Sequence, residues 1–575
     1  MKKISLLLCL LLILSCVLVL AACDTNSANG SEVPAAPAAD AEEGIDSHLF
    51  IKACQHGESN LLQLSWNFYD LDFETYKDLK AEFYYGDRLL AARDLGTASS
   101  QLAEEVCYGR VTVRITANHS EKGRVTIKEC VAPLSASEYN FASINASMPV
   151  LYFSLDLFSR DGATREAYLA SSSIPESFLM ADVPTFVALE RVNSYDWDSL
   201  PENVYWLPAL EEPNGSFHKN NELMAAYIRE LYEINPDSKF NFYCTDNYPE
   251  LIVKFFTAQG IENFHATMLS DGTGSAALFK NLAANENGKT ASEMYKAMVE
   301  EWVRIKTAAQ NGAADYLDDV FMGFEAHSVL QNYPFVMAAI EDNITWVCAR
   351  ESVFTDSITD SAFRAIWDAA KADGSVQFIG FNHLFNNLSV TDSNRLKQLY
   401  KFDTDVFSAA GEKPILMYLG TSTSGEGNLE AYLRYLIKEY GDTYAIYYKG
   451  HPGWPTALNA EKKAMLEELG VIDVESYIAA EIILFYCPDI YLAGYNSSTY
   501  YSADSDHVLA IFEATESYVN SNSTYTSEVY INPVSSFTEY AALYPDCYVV
   551  EYRDSNRVDI YNPADGSYTT IVPAA

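Results

Sequence analysis

Basic residues are scarce in this sequence, which has 38 lysines and arginines against 79 aspartates and glutamates and a formal net charge of −41. A chain this acidic is repelled by nucleic-acid phosphates and by anionic lipid headgroups. We therefore expect no nucleic acid among its partners. The aromatic content of 13% suits a well-packed globular protein and equally suits contacts with sugars, so it does not separate the two uses.

The sequence also lacks the closely spaced cysteines and histidines of a zinc site. Its 10 cysteines include no Cys-x-x-Cys pair and no cluster with histidine, so we expect no structural zinc. Cys54, Cys107 and Cys130 share one N-terminal region, where an exported protein could form a disulfide. Which of the three would pair stays open.

Beyond its first segment, the sequence has no continuous apolar run of membrane-spanning length. That segment has a basic start, an apolar run and the sequence "LAAC" ending at Cys23, which is typical of a secretory signal with a lipoprotein box. We predict a signal peptide over residues 1–22 and an exported lipoprotein, at the cell surface or in the periplasm, anchored through lipid on Cys23. The alternative is a membrane helix, but the run is short and ends in small residues. Residues 23–46 lack large apolar side chains and are predicted to be a flexible tether.

Residues 47–147 are predicted to form a small all-β domain. Short alternating runs such as "LLQLSWNF" and "GRVTVRITAN" are separated by turn residues, without a long helical period. This pattern is typical of a β-sandwich. We expect the domain to act as a spacer or scaffold.

From residue 148 the pattern changes to alternating strands and helices. The runs "PVLYFSLDL", "KFNFYC" and "NFHATML" are predicted strands, and "NNELMAAYIRELYEI" is a predicted helix. A mostly helical stretch is expected from Ala291 to about Lys401, and the alternation restarts after Gly411 with "KPILMYLG". The sequence therefore predicts an α/β fold with two Rossmann-like lobes, over residues 148–405 and 406–575, and a cleft between them.

Four short motifs follow predicted strands of these lobes: "SDG", "GTST", "KGHP" and "NSS". Ligands of such sheets bind outside the carboxyl ends of the strands, so the motifs are expected along one cleft. Each motif alone has an ordinary explanation: Asp271 fits a turn, His451 fits a turn, and Ser497 and Ser498 fit a cap at a strand end. Glu481 is less ordinary, because an ionised carboxylate among apolar residues is costly unless it is paired.

In this order the motifs resemble those of the bacterial sialyltransferases of glycosyltransferase family 80. The resemblance runs from about residue 148 to 512 and is strongest from "KPILMYLG" to "KGHP". It implies a GT-B fold and CMP-Neu5Ac as the donor substrate. Some members also carry a lipoprotein signal and an immunoglobulin-like domain, so the resemblance implies that residues 47–147 are immunoglobulin-like.

The resemblance also implies a role for each matched residue. Asp271 matches the general base that deprotonates the acceptor hydroxyl, and His451 matches the histidine that contacts the donor phosphate and assists its departure. Lys449 matches the lysine beside the nucleotide, and Glu481 matches the glutamate that binds the CMP ribose. The remaining matches to the donor site are Gly420, Thr421, Ser422, Gly450 and Pro452 in the nucleotide pocket and Ser497 and Ser498 at the phosphate.

The chemistry implied is sialyl transfer to a glycan hydroxyl, of the galactoside type, through an oxocarbenium-like transition state. A base and a leaving group on opposite faces of the sugar imply inversion at the anomeric carbon. No cofactor is expected, and no metal is required, because the donor carries one phosphate rather than a diphosphate. The Asp-x-Asp triplets that begin at Asp70, Asp196, Asp403 and Asp504 are assigned to solvated surface, since 79 acidic residues produce such triplets by chance.

The sequence departs from the family pattern at two positions. Ser270 replaces the first acidic residue of the motif that contains Asp271, and Ser424 stands where many members carry a tryptophan that stacks on the acceptor. Trp454 is a candidate replacement for that aromatic ring. The segment after Tyr544 is predicted to be a β-hairpin without a counterpart in the family.

Three alternatives remain open from the sequence. A lipoprotein with two α/β lobes also describes a solute-binding subunit of a transporter, because fold does not settle function. A sialyltransferase-like lectin without turnover and a transferase of another CMP-activated sugar, such as Kdo, fit as well. The ordered set of four motifs favours the enzyme, since a solute-binding protein has no need of it.

Overall fold

A computed structural model describes most of the chain, and every structural statement below concerns the part it describes. The chain divides into two compact units, Met1–Leu134 and Ser135–Ala575. The described residues are 49–69, 71–189, 195–208, 217–283, 288–312, 333–421, 428–452, 459–495, 497–503, 505–513, 529–533, 543–552 and 557–571. The predicted signal peptide, the tether and Cys23 lie outside these ranges. None of the described helices is both long and apolar enough to cross a bilayer.

The first unit consists of two antiparallel sheets. A three-stranded sheet has the order β1-β2-β5, and a four-stranded sheet has the order β4-β3-β6-β7. Alternate residues are buried along β2 and β6, so each sheet buries one face, as a predicted all-β domain requires. The strands are β1 Phe50–Gln55, β2 Leu61–Asn67, β3 Tyr76–Tyr85, β4 Arg88–Asp94, β5 Ser100–Glu105, β6 Gly109–His119 and β7 Gly123–Leu134.

The second unit begins with a seven-stranded sheet, here called the first sheet, in the order β10-β9-β8-β11-β12-β13-β14. All of its strands are parallel. They are β8 Glu138–Ile144, β9 Thr185–Leu189, β10 Val204–Trp206, β11 Lys239–Thr245, β12 Phe264–Leu269, β13 Ile344–Cys348 and β14 Val376–Phe378. The doubly wound pattern is therefore confirmed for this sheet.

Two details of the first sheet differ from the sequence-based expectation. Strand β8 pairs with β9 and β11, so the boundary expected at residue 147 lies one strand too late. Strand β13 interrupts the stretch that was expected to be mostly helical. Both runs are short and almost wholly buried, and such runs lack the periodicity that separates a strand from a buried helix.

The run "PVLYFSLDL" was predicted to be a strand and is instead the helix α1, Ser147–Leu157. Every residue from Met148 to Leu157 is buried, so no polar face marks the helical period. Pro149 lies in the first turn, where a helix tolerates proline. The prediction failed because burial on all sides removed the signal on which it depended.

A nine-stranded sheet, here called the second sheet, follows in the order β17-β16-β15-β18-β19-β20-β21-β22-β23. Its first six strands in that order pair in parallel and the last three are antiparallel additions. The predicted C-terminal hairpin is thus a three-stranded extension of this sheet. The strands are β15 Ile415–Leu419, β16 Ala445–Lys449, β17 Ile472–Val474, β18 Tyr491–Tyr495, β19 Val508–Phe512, β20 Val529–Pro533, β21 Tyr548–Tyr552, β22 Arg557–Asn562 and β23 Ser567–Ile571.

One hydrophobic core joins the two sheets of the second unit. It contains residues of α1, of the helices after β14 and of the strands β15 and β18. Phe385 stacks on Phe485 with ring centroids 4.4 Å apart, which fixes a helix of one lobe on a helix of the other. The other helices are α2 Gly162–Ala170, α3 Phe217–Ile234, α4 Glu250–Phe255, α5 Thr273–Ala283, α6 Ala291–Gln310, α7 Pro334–Ile340, α8 Ser352–Thr355, α9 Ser361–Ala372, α10 Phe381–Asn386, α11 Val390–Leu399, α12 Leu429–Tyr440, α13 Ala460–Leu469 and α14 Ala480–Tyr486.

Candidate active site

The polar residues of the first lobe lie where three neighbouring parallel strands end. Asn145 follows β8, Asp246 follows β11, and Ser270 and Asp271 follow β12. Because the carboxyl ends of parallel strands share one edge of a sheet, these side chains are neighbours. Asn145 is hydrogen-bonded to β11, because its backbone N–H donates to Thr245 Oγ1 at 3.1 Å.

Asp271 sits in the tight connection between β12 and α5. Its backbone N–H donates to Ser275 Oγ at 2.8 Å and to Asp246 Oδ1 at 3.2 Å. Ser270 Oγ accepts the N–H of Gly272 at 3.2 Å, which closes the turn from the other side. The backbone of the predicted base is therefore held by side chains, while the residue as a whole stays partly exposed.

Asp246 is almost wholly buried, with 1% of its surface exposed. The indole Nε1–H of Trp346 donates to its Oδ2 at 2.8 Å. Burial raises the pKa of this carboxyl group to about 6, although the hydrogen bonds from Ser275, Trp346 and Asp271 act in the opposite direction. The sequence analysis did not select Asp246, although it obeys the same rule of position at the end of a strand.

The corresponding edge of the second lobe is formed by β15, β16 and β18. The N–H of Gly420 donates to Lys449 O at 2.9 Å, which ties the first residue after β15 to the end of β16. Gly494 has φ +133°, and a Cβ there would collide with the backbone of Leu419. Gly494 thus permits β18 to approach β15 closely just before Ser497.

Lys449 is buried with 5% of its surface exposed, and its Nζ donates to Ser476 O at 3.0 Å and to Gly450 O at 3.2 Å. Burial lowers the pKa of Lys449 to about 8, and the charge of Glu481 opposes that change. Lys449 therefore braces the turn that carries His451 against the segment after β17.

Glu481 lies in the first turn of α14 and has 4% of its surface exposed. Burial raises its pKa, while hydrogen bonds from its own backbone N–H and from the Thr499 side chain, together with the charge of Lys449, act in the opposite direction. The position at the start of a helix favours a negative charge. Glu481 is thus a buried acceptor beside the Ser497–Ser498 segment.

Ser497 and Ser498 begin a short 3-10 helix, Ser498–Tyr501. Ser497 Oγ accepts the N–H of Thr499 at 3.3 Å and so caps this helix. Gly272 of the first lobe lies directly against Ser498: a Cβ on Gly272 would be 2.6 Å from Ser498 Cβ and 3.2 Å from Ser498 Oγ. The structure therefore brings the loop of Asp271 and the Ser497–Ser498 pair together.

We compared the chain with known proteins by sequence and by structure. No protein-family model matches the sequence, and none of the curated proteins matches it either. Several solved structures are similar to it at low sequence identity.

One of these is the 2,6-sialyltransferase of Photobacterium sp. JT-ISH-224, solved in a ternary complex with CMP and lactose. The identity is 11% and the TM-score 0.47, over 80% of this chain and 89% of that chain. The sialyltransferase of Photobacterium damsela has 16% identity and a TM-score of 0.46 over 82% and 96% of the two chains. The α/β-galactoside α-2,3-sialyltransferase of Photobacterium phosphoreum has 13% identity and a TM-score of 0.47 over 68% and 94%. At these scores the function has to be argued from the site itself.

The other predicted donor-site residues fall on the same edge or outside the described ranges. Thr421 follows Gly420, and His451 and Pro452 follow β16, all partly exposed. Ser422 lies outside the described residues, as do Ser424 at one departure from the family pattern and its candidate replacement Trp454. In the part of the chain that the structure describes, no three His, Cys, Asp or Glu side chains converge as metal ligands would.

The residues missed by the sequence analysis support those that it selected. Asp246 and Trp346 hold the Asp271 loop, and Thr499 donates to Glu481. Asp246 had a usable signal, because it is an acidic residue two positions after the predicted strand "KFNFYC". Trp346 and Thr499 had none, because their contacts depend on which strands become neighbours.

Proposed function

We propose that the chain is an inverting sialyltransferase of the GT-B type that transfers sialic acid from CMP-Neu5Ac to a hydroxyl of a galactoside. The observation that supports this most directly is the contact between Gly272 and Ser498. Through this contact, the loop that carries the partly exposed Asp271 lies against a pair of serines on the facing lobe. A solute-binding protein needs no base beside its ligand, whereas a glycosyl transfer does.

On the donor side, His451, Ser497 and Ser498 would donate hydrogen bonds to the leaving phosphate of CMP. The phosphate leaves readily, so it needs electrostatic stabilisation more than a strong acid. Preorganised donors of this kind are each worth about 3 kcal/mol in a transition state. Gly420, Gly450 and the capped turn of Ser497 supply the close backbone approach that such a site requires, and the buried Glu481 would accept hydrogen bonds from the ribose.

On the acceptor side, Asp271 would remove the proton from the attacking sugar hydroxyl as the new glycosidic bond forms. A well-placed base of this kind contributes about 10²–10⁴-fold to a rate. The base and the phosphate would lie on opposite faces of the anomeric carbon, which gives inversion. The held backbone of Asp271 supports this role, because a base acts only within hydrogen-bonding reach of the proton it takes.

We also propose that the protein is exported and tethered to a membrane through lipid on Cys23. Radiolabelled palmitate should enter the wild-type chain in cells and fail to enter Cys23→Ala. Label of equal strength in Cys23→Ala would reject the anchor, and this result would leave the enzymatic proposal unaffected.

The proposed reaction is tested by incubating the protein with CMP-Neu5Ac, with and without lactose, and measuring the release of CMP. We expect release that increases with lactose, together with a sialylated lactose product of inverted configuration. The absence of release under both conditions, with tight binding of another solute, would instead identify a binding protein. Release from CMP-Kdo but not from CMP-Neu5Ac would identify a different sugar specificity.

A further inference from the structure

A buried carboxyl group, Asp246, lies behind the proposed base and takes no part in the reaction described above. It follows β11, and only 1% of its surface is exposed, so it cannot reach a substrate. An acidic group that is buried this deeply is costly unless its charge is satisfied by donors. Its hydrogen bonds therefore indicate what its charge does.

Four donors converge on this carboxyl group: the backbone N–H of the adjacent Asn247 and three donors from other elements. Trp346 on β13 donates through Nε1, and the backbone of Asp271 donates after β12. The hydroxyl of Ser275, on α5, is the third. An ionised carboxylate accepts hydrogen bonds on both oxygens. A protonated carboxyl group would instead point its own O–H at one of these donors.

Ser275 connects this arrangement to the loop a second time. Its Oγ accepts the Asp271 N–H at 2.8 Å while its hydroxyl donates to Asp246. The Asp271 amide is consequently shared between Ser275 and Asp246. A change in the charge of Asp246 therefore acts on the same amide through a direct and an indirect hydrogen bond.

The titratable groups that face Asp246 are few. Cys244 on β11 and Cys348 on β13 are buried thiols, and burial raises the pKa of both well above the usual value, so both stay neutral. The acidic residues nearby are Asp271, whose backbone N–H donates to Asp246, and the buried Glu250 of α4, whose charge raises the pKa of Cys244 as that of Asp246 does. Burial raises the pKa of Asp246 to about 6, and none of these neighbours supplies a positive charge to reverse that effect.

We propose that Asp246 is a positioning residue, whose ionised carboxylate fixes the loop of Asp271 so that the base points at the acceptor hydroxyl. This inference rests on the proposed function. The group does not contact the substrate; it acts through the backbone of Asp271, through Ser275 and through Trp346. Protonation of Asp246 removes one acceptor site from that set and loosens the loop.

The kinetic test compares Asp246→Asn with a matched control, Asp156→Asn. Asp156 is likewise 1% exposed, and burial raises its pKa to about 7, but its partners are Ser159, the Tyr243 hydroxyl and the backbone of Met180. In Asp246→Asn an amide NH₂ faces one of the four donors, so we expect kcat to fall by about 10²-fold through displacement of the base. The KM for CMP-Neu5Ac should not change, and Asp156→Asn should retain the kcat of the wild type.

The pH profile separates positioning from a loss of folding. In the wild type, kcat should fall on the acid side with a midpoint near pH 6, where Asp246 takes up a proton. Trp346→Phe removes a donor to the ionised form, which raises the pKa of Asp246, so the midpoint should move to higher pH. Asp246→Asn should lose this part of the profile.

A spectroscopic measurement tests the charge of Asp246 without any turnover. In the full chain, one of the seven tryptophan indole N–H resonances should titrate near pH 6, and its absence in Trp346→Phe would assign it to Trp346. In Asp246→Asn the resonance should be displaced at every pH and should not titrate.

Two results would overturn the proposal: an Asp246→Asn variant with the kcat of the wild type, or a Trp346 resonance that does not respond to pH around 6. Failure of the wild type to release CMP would instead reject the proposed function. In that case the indole titration still decides whether the ionised carboxylate of Asp246 holds the loop.

Discussion

Gly272 and Ser498 are in contact, although they follow strands of two different sheets. A Cβ on Gly272 would lie 2.6 Å from Ser498 Cβ and 2.5 Å from Met148 Sδ, and the residue has φ +64°. No larger residue fits there without displacing one of these partners, and the backbone conformation itself favours glycine. Because Asp271 is the preceding residue, this contact couples the position of the proposed base to the serines of the facing lobe.

Replacement of this glycine should therefore impair both stability and turnover. In Gly272→Ala the left-handed backbone costs about 1–2 kcal/mol, and the displaced Ser498 and Met148 add about 1–3 kcal/mol. The free energy of unfolding is measured with denaturant, and kcat with CMP-Neu5Ac and lactose. Gly260→Ala is the control, because Gly260 has φ +70° but open space around it, so it should lose only the smaller, conformational part.

Removal of the proposed base should slow transfer strongly while leaving the donor site intact. In Asp271→Asn the side chain keeps its size but accepts no proton, so kcat should fall by about 10²–10⁴-fold. Titration calorimetry with CMP should give an unchanged Kd. Turnover at the wild-type rate would show that another group takes the proton from the acceptor.

Loss of the histidine after β16 should act on the donor side of the reaction. We expect kcat of His451→Ala to fall by about 10²–10³-fold, as for the loss of a donor to a developing anion. Because the leaving group is then affected, hydrolysis of CMP-Neu5Ac without lactose should fall in parallel. If transfer were lost while hydrolysis continued, His451 would belong to the acceptor side instead.

The buried Lys449 should make both the affinity for CMP and the free energy of unfolding depend on pH. Burial lowers its pKa to about 8 in the folded protein from an ordinary value of 10.5. Between these values the unfolded chain binds more protons than the folded one, so the free energy of unfolding should rise with pH across that window. Affinity for CMP should weaken above pH 8 as the cation is lost.

In Lys449→Met the part of both dependences that comes from Lys449 should be lost, because methionine does not titrate. CMP affinity is measured by calorimetry, and stability by denaturant titration at each pH. A CMP affinity of the wild type that stays constant through pH 8 would contradict a role for the Lys449 charge in binding the nucleotide.

Chelation provides a test of the proposed metal independence. Since the donor has a single phosphate, the histidine and the two serines should suffice to stabilise it. We therefore expect the rate of transfer to be unchanged by EDTA and by added Mg²⁺. A loss of rate in EDTA that Mg²⁺ restores would reject the proposal that no metal takes part.

Much of the second unit was predictable because its signals are local. The ends of β12, β16 and β18 fall where the sequence analysis expected them, before the Ser270–Asp271 pair, at Lys449 and before Ser497. Strand length, glycine and polar residues at strand ends are properties of short segments. The order of the motifs along the chain is likewise a property of the sequence alone.

The wrong predictions share one physical cause. In α1, β8 and β13 nearly every residue is buried, so neither the helical nor the strand period appears in the sequence. Which of the two structures forms is decided by the neighbours that bury the segment.

For the candidate site too, some features follow from the sequence and others depend on the tertiary structure. The sequence by itself determined which side chains are available for the chemistry: a carboxylate, a histidine, a lysine and paired serines, each beside a predicted strand end. Only the tertiary structure decided that Gly272 touches Ser498 and that Asp246 lies under the Asp271 loop, within reach of Trp346. Such contacts join residues that are distant in the chain, and they exist only once the order of the strands in both sheets is set.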